Sequence, residues 1–106
     1  MNAVCLRFYT LEKRKLHGML VHDWLLQQAE RLGIAGGTAL RASAGYGHHR
    51  VLHEDRFFEL AGELPMEVEF ITDVAGADRM LQRVREEALA IFYVRFPVEC
   101  GWTREA

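Results

Sequence analysis

The run Pro65-Met66-Glu67-Val68-Glu69-Phe70-Ile71-Thr72 decides the fold. From Met66 onward it alternates apolar and charged side chains, the period-two pattern of a strand with one covered and one open face. Asp73 follows at once and suits the cap of a helix N-terminus. Ala77, Met80, Leu81, Val84 and Ala88 then recur at helical spacing. A strand that passes directly into an amphipathic helix belongs to a layered α/β unit, its apolar face turned toward that helix.

Working outward, residues 90–96 (Ala-Ile-Phe-Tyr-Val-Arg-Phe) read as a further strand stopped at Pro97, and the tail through Trp102 can add a short fifth one. Upstream, residues 3–9 alternate and are rich in strand formers, followed by a charged connection over residues 10–15. From about Leu16 or Met19 the apolar residues Leu16, Leu20, Trp24, Ala29 and Leu32 fall at helical spacing, with Val21, Leu25 and Leu26 widening the stripe. Gly33 stands where a left-handed residue ends a helix. Gly36-Gly37 turns the chain into a strand over residues 38–44. Residues 45–63 read as a long polar loop broken by Phe57-Phe58-Glu59-Leu60, an apolar group that reads as an anchor for the loop, with a partner-docking patch as the alternative.

The order βαββαβ predicts an α+β, ferredoxin-like domain spanning residues 1–106, with one four-stranded antiparallel sheet and both helices on one face. With the usual strand order (fourth, first, third, second), Leu6, Leu40, Val68 and Val94 are expected to face the helices. The opposite face then carries Arg7, Arg41, Glu67, Glu69, Tyr93 and Arg95. Three arginines and two glutamates nearly balance, so this face can meet symmetry copies of itself. An oligomer interface is expected there, with a solvated face, the default for a monomer, as the alternative.

Composition narrows the function classes. The 106 residues carry a formal net charge of −2, half are hydrophobic, and about a quarter are charged. That balance excludes a broadly basic nucleic-acid binder, and no apolar run approaches the roughly 18 residues of a membrane span. The start of the chain has no secretory-signal pattern, because Arg7 interrupts its apolar run and Lys13-Arg14-Lys15 comes after it. Cys5 and Cys100 lie at opposite ends and read as reduced, half-buried thiols, which together with the missing signal suggests a cytoplasmic protein.

Two constellations carry chemistry. His48, His49 and His53 cluster after the second strand, and His49 and His53 stand four apart; imidazoles so grouped suit zinc or copper, or merely a polar loop. Just before them, Gly45-Tyr46-Gly47 ends the strand. It is a turn through positive φ, or a backbone that lets an anion come close, with Tyr46 stacking or Arg41 supplying charge. Lys13-Arg14-Lys15 before the first helix reads as a solvated charged loop, with anion binding as the alternative. No Ser/His/Asp or Cys/His spacing points to catalysis, and the chain is not expected to be an enzyme.

Gly33-Ile34-Ala35-Gly36-Gly37-Thr38-Ala39-Leu40-Arg41-Ala42, then Gly45-Tyr46-Gly47, His53 and Leu64-Pro65, resemble the PII-like bacterial family filed as domain of unknown function one-ninety. Behind it lies a fainter likeness to the PII signalling proteins. The resemblance implies a homotrimer with sheets inside and helices outside, intersubunit clefts that bind adenine nucleotides, and a long loop that reaches a regulatory partner such as a membrane transporter. Residue by residue it carries over to Gly45 and Gly47 at the loop base and to His48, which stands where PII proteins place an arginine. It favours the ligand reading of Gly45-Tyr46-Gly47, with Tyr46 and Arg41 as contacts. The PII phosphate-holding loop has no counterpart, since Glu86-Glu87-Ala88-Leu89-Ala90-Ile91-Phe92-Tyr93 contains neither glycine nor a basic residue. The expectation is a sensor or regulatory protein for a small anionic ligand, with a divalent-metal-binding oligomer similar to copper-tolerance proteins, or a small enzyme, as alternatives.

Overall fold

A computed structural model describes residues 2–47 and 64–105. β1 (Asn2–Leu11) runs through the middle of the molecule, and every second side chain, Val4, Leu6, Phe8 and Thr10, is buried on one face. A two-residue turn joins β2 (Lys15–Leu16) to β3 (Met19–Leu20). His17 and Gly18 both have positive φ, 53° and 79°, the backbone of a tight primed hairpin turn. This hairpin replaces the helical start expected from Leu16 or Met19. Leu16 and Met19 still reach the core, but from strands.

Helix α1 (Val21–Arg31) therefore begins at Val21 and ends in a complete left-handed cap. Gly33, at φ 81°, donates its N–H to the carbonyl of Glu30, and Ile34 donates to Ala29. That is the Schellman pattern anticipated at Gly33, with buried Ile34 closing the apolar contact. β4 (Gly37–Arg41) is shorter than the strand read over residues 38–44. β5 (Pro65–Thr72) then passes into α2 (Val74–Glu86), whose N-cap is Asp73: the Gly76 N–H donates to Asp73 Oδ1 at 2.7 Å. Ala88 lies beyond this helix, with φ 53°. β6 (Phe92–Glu99) runs through Pro97 instead of stopping there. An edge strand tolerates the missing N–H. Residues 100–105 add no fifth strand.

The sheet has the order β4-β5-β1-β6, antiparallel throughout, as expected. The core lies between it and the two helices, built on Leu6, Phe8, Val68 and Phe70 from the central strands and Val21, Leu25, Ala77 and Met80 from the helices. The rings of Phe8 and Phe70 meet edge to face, 6.3 Å apart and 74° inclined. Each of these large side chains adds about 1.5–3 kcal/mol by leaving water.

Register corrects the face assignment of both edge strands. Residues directly opposite in an antiparallel pair share a face. Leu40 lies opposite Glu67 and Val94 opposite Arg7, so both belong to the open face. Arg41 pairs with Met66, Tyr93 with Phe8, and Arg95 with Leu6, so these three belong to the helix side. In β6, Phe92, Val94 and Phe96 alternate with Tyr93 and Arg95, and both sets carry rings or long stems. Hydropathy cannot choose between the two parities when a strand is only partly covered. The open face thus carries Arg7, Glu67 and Glu69 surrounded by Leu40, Ile71, Phe92 and Phe96, all four of them exposed.

Candidate ligand pocket at the root of the β4–β5 connection

After Arg41 the chain stays attached to β5 for one more step, the Ala42 N–H donating to the Pro65 carbonyl at 2.9 Å. It then bends over the open face of the sheet. Gly45 packs so closely on Pro65 that a Cβ there would stand 3.2 Å from the proline ring, and Gly47 adopts φ 86°, a conformation glycine takes without strain. Tyr46, between them, is 87% exposed. Beneath this turn is a small cavity of about 120 Å³, floored by Tyr9 of β1 and Glu67 of β5. These two residues are direct cross-strand partners.

Of the residues expected to bind ligand, Gly45, Tyr46 and Gly47 come together here. Arg41 does not line the cavity; its Nε forms an ion pair with Glu12 Oε2 at the sheet edge. His48, and the alternative metal set His48, His49 and His53, lie outside the described residues, as does Phe57-Phe58-Glu59-Leu60. Among the described residues no His, Cys, Asp and Glu side chains gather as a metal site. Tyr9 was missed by sequence reasoning. Its signal was parity: two residues after Arg7 on an alternating strand, it shares the open face with Glu67.

Behind the cavity runs a charge network. Arg7 donates to Glu69 Oε1 from Nη2 at 2.6 Å and from Nε at 3.2 Å, and its Nε stands 3.6 Å from Glu67 Oε1. Its guanidinium also lies 5.6 Å from the centroid of the Phe96 ring. These contacts hold the Glu69 carboxyl below its usual range and push Arg7 up, Glu69 first and Tyr9 second. Burial, together with the hydrogen bond its thiol donates to Glu69 at 3.4 Å, raises Cys5. The described lining of the cavity therefore offers aromatic rings, backbone and one carboxylate, a set suited to a ring bearing N–H donors.

The segment between α2 and β6 is occupied by its own contacts. Glu87, at the C-cap of α2, receives His17 Nε2 at 2.7 Å on one oxygen and Arg83 Nη2 at 2.9 Å on the other. This turn therefore presents a paired carboxylate where an anion-binding loop would present donors.

Comparison with known proteins agrees with the fold. A UPF0166 protein of Aquifex aeolicus is 32% identical over 80 residues, 76% of each chain. CPII, a nitrogen regulatory PII-like protein from Thiomonas intermedia K12, has been solved bound to ADP, AMP and bicarbonate; it superposes with a TM-score of 0.63 at 15% identity over 98% of both chains. A protein from Thermus thermophilus, assigned as PII-like signaling, superposes at 0.60 and 20% identity, covering 92% of this chain and 87% of that one. The family model DUF190, described as uncharacterized ACR, matches residues 3–99, and this chain belongs to that family.

Proposed function

We propose that this chain is a cytoplasmic PII-like regulatory protein rather than an enzyme. It binds a small anionic ligand, an adenine nucleotide, at the root of the β4–β5 connection. The observation that carries this reading is the cavity in which Gly45, Tyr46 and Gly47 close over Tyr9 and Glu67. Glu67 can accept an exocyclic N–H of a purine, and the two tyrosines supply flat surface. The solved relative CPII bound to ADP and AMP supports the choice of ligand.

The cavity opens on the same sheet face as Leu40, Ile71, Phe92 and Phe96. In a homotrimer joined through that face, each neighbour would wall the cavity and bring further groups to the phosphates, making it an intersubunit site. Ligand occupancy is then signalled to a partner protein through the connection between β4 and β5.

Calorimetric titration of the purified protein with ADP, AMP and adenosine tests this, beside light scattering for the assembly. ADP or AMP should bind, and Tyr46→Ala or Glu67→Ala should weaken that binding about tenfold, the loss expected for one stacking or hydrogen-bonding group. Absence of binding by any adenine compound to the assembled protein would remove the reading.

A further inference from the structure

A groove of about 670 Å³ lies on the other side of the sheet, between α2 and β6. Arg79, Gln82 and Arg85 line it from one flank of the helix, and the corrected register of β6 brings Tyr93 and Arg95 in from the strand. Four guanidinium groups, those of Arg79, Arg83, Arg85 and Arg95, stand there against the carboxylates of Asp78 and Glu86. That is a positive surplus in a chain whose formal net charge is −2. The lining is of mixed sign, but a positive surplus held in a concave wall concentrates anions more than the same charges spread over a convex surface.

The four arginines are not equally committed. Arg83 is structural: it stacks 5.2 Å from the Trp24 centroid, donates to Gln28 Oε1 at 3.1 Å and binds Glu87. Arg95 pairs with Asp78 at 2.8 Å. Among the described residues, Arg79 reaches only the Leu32 carbonyl, at 3.3 Å. Among the described residues, the side chain of Arg85 has no hydrogen-bond or ion-pair partner. Two exposed, weakly engaged guanidinium groups therefore remain on one flank of α2, six residues and about 9 Å of helix axis apart. Two long, flexible stems at that separation can converge on two linked phosphates, each guanidinium offering a bidentate fork.

We propose that the groove between α2 and β6 is a second ligand site of this protein, for a molecule carrying a diphosphate group. Arg79 and Arg85 hold the phosphates, Arg95 flanks them, and the exposed Tyr93 ring provides the groove's flat wall. This site is independent of the cavity at the loop root, which lies across the sheet.

Calorimetric titration with inorganic pyrophosphate and, separately, with ADP tests the assignment at low and moderate salt. Pyrophosphate should bind the full chain, more weakly as salt rises. The double variant Arg79→Gln/Arg85→Gln should bind it about tenfold or more weakly. Both side chains are exposed, so an unchanged melting curve is expected and will separate lost binding from lost folding. If ADP binds this site more tightly than pyrophosphate and Tyr93→Ala removes the gain, the diphosphate is that of a nucleotide; equal affinities identify a free diphosphate. No binding of pyrophosphate, or binding undiminished in the double variant, overturns the proposal. ADP binding sensitive to Tyr46→Ala alone would leave the loop-root reading standing while this one falls.

Discussion

Arg7 and Glu69 face each other across β1 and β5, Nη2 to Oε1 at 2.6 Å, on a sheet face otherwise edged with exposed apolar side chains. Glu69 is held below the ordinary carboxylate range chiefly by this contact. A lowered folded-state pKa stabilises above the unfolded value, and that stabilisation is lost as pH falls through the lowered one. Removing Arg7 by Arg7→Ala should raise Glu69 toward its ordinary value, read by carboxyl carbon NMR. It should also cost about 1 kcal/mol near neutral pH, given a pair that is only half-buried. The difference from the parent should shrink in acid denaturation below the carboxylate range. An unmoved Glu69 titration would contradict the pairing.

Exposed apolar residues on the open face imply a second prediction. Phe96 is 39% exposed and Leu40 50% exposed, and both stand beside the charged pair. If the proposed homotrimer joins through this face, Phe96→Glu should shift it toward monomer in light scattering, because the substitution would bury an unmatched charge between subunits. Arg41→Glu should have little effect on assembly through this face, since Arg41 belongs to the helix side and pairs with Glu12. The reverse pattern would place the interface elsewhere.

Gly37 lies opposite Phe70 in the register of β4 and β5. A Cβ at this position would enter the Phe70 ring and press on Leu26. Phe70 is fully buried and cannot withdraw. Gly37→Ala should therefore destabilise by about 1–3 kcal/mol, the range for overpacking a filled core, measured by urea unfolding. A neutral substitution would mean that the ring has room to turn.

The His17–Glu87 contact ties the β2–β3 hairpin to the end of α2. His17 first and Arg83 second hold the Glu87 carboxyl below its ordinary range. His17→Ala should bring its titration up toward the ordinary value, visible by NMR. The tether should weaken as pH falls through the lowered value, because protonation removes the acceptor charge. Lower amide protection around residues 15–20 at acid pH than near neutrality, after correction for the intrinsic pH dependence of exchange, would register that loosening.

Much of the fold was legible in the chain because its central elements are covered on one side only. β5 alternates cleanly, Asp73 caps the helix that follows, and Gly33 ends the helix before β4. Each of these local signals agrees with the tertiary outcome. The His17-Gly18 hairpin was less visible, since Leu16, Leu20 and Trp24 mimic helical spacing and only the two positive φ values break it.

Local pattern was enough for the βαββαβ order of the main elements, their arrangement in the sheet, the family and the turn at Gly45-Tyr46-Gly47, but not for the β2–β3 hairpin. These depend on local periodicity and on residues with restricted or permissive backbones. The parity of β4 and β6 was set by strand pairing instead, because partly covered edge strands carry apolar residues on both faces. That parity moved Leu40 and Val94 to the open face and Tyr93 and Arg95 to the helix side. It left Arg41 outside the cavity and brought Arg95 beside Arg79 and Arg85, while the pairing of β1 with β5 and the path of the chain after β4 set Tyr9 and Glu67 under the Gly45-Tyr46-Gly47 turn. Proximity between residues far apart in the chain comes from strand pairing and packing, and no local pattern encodes it.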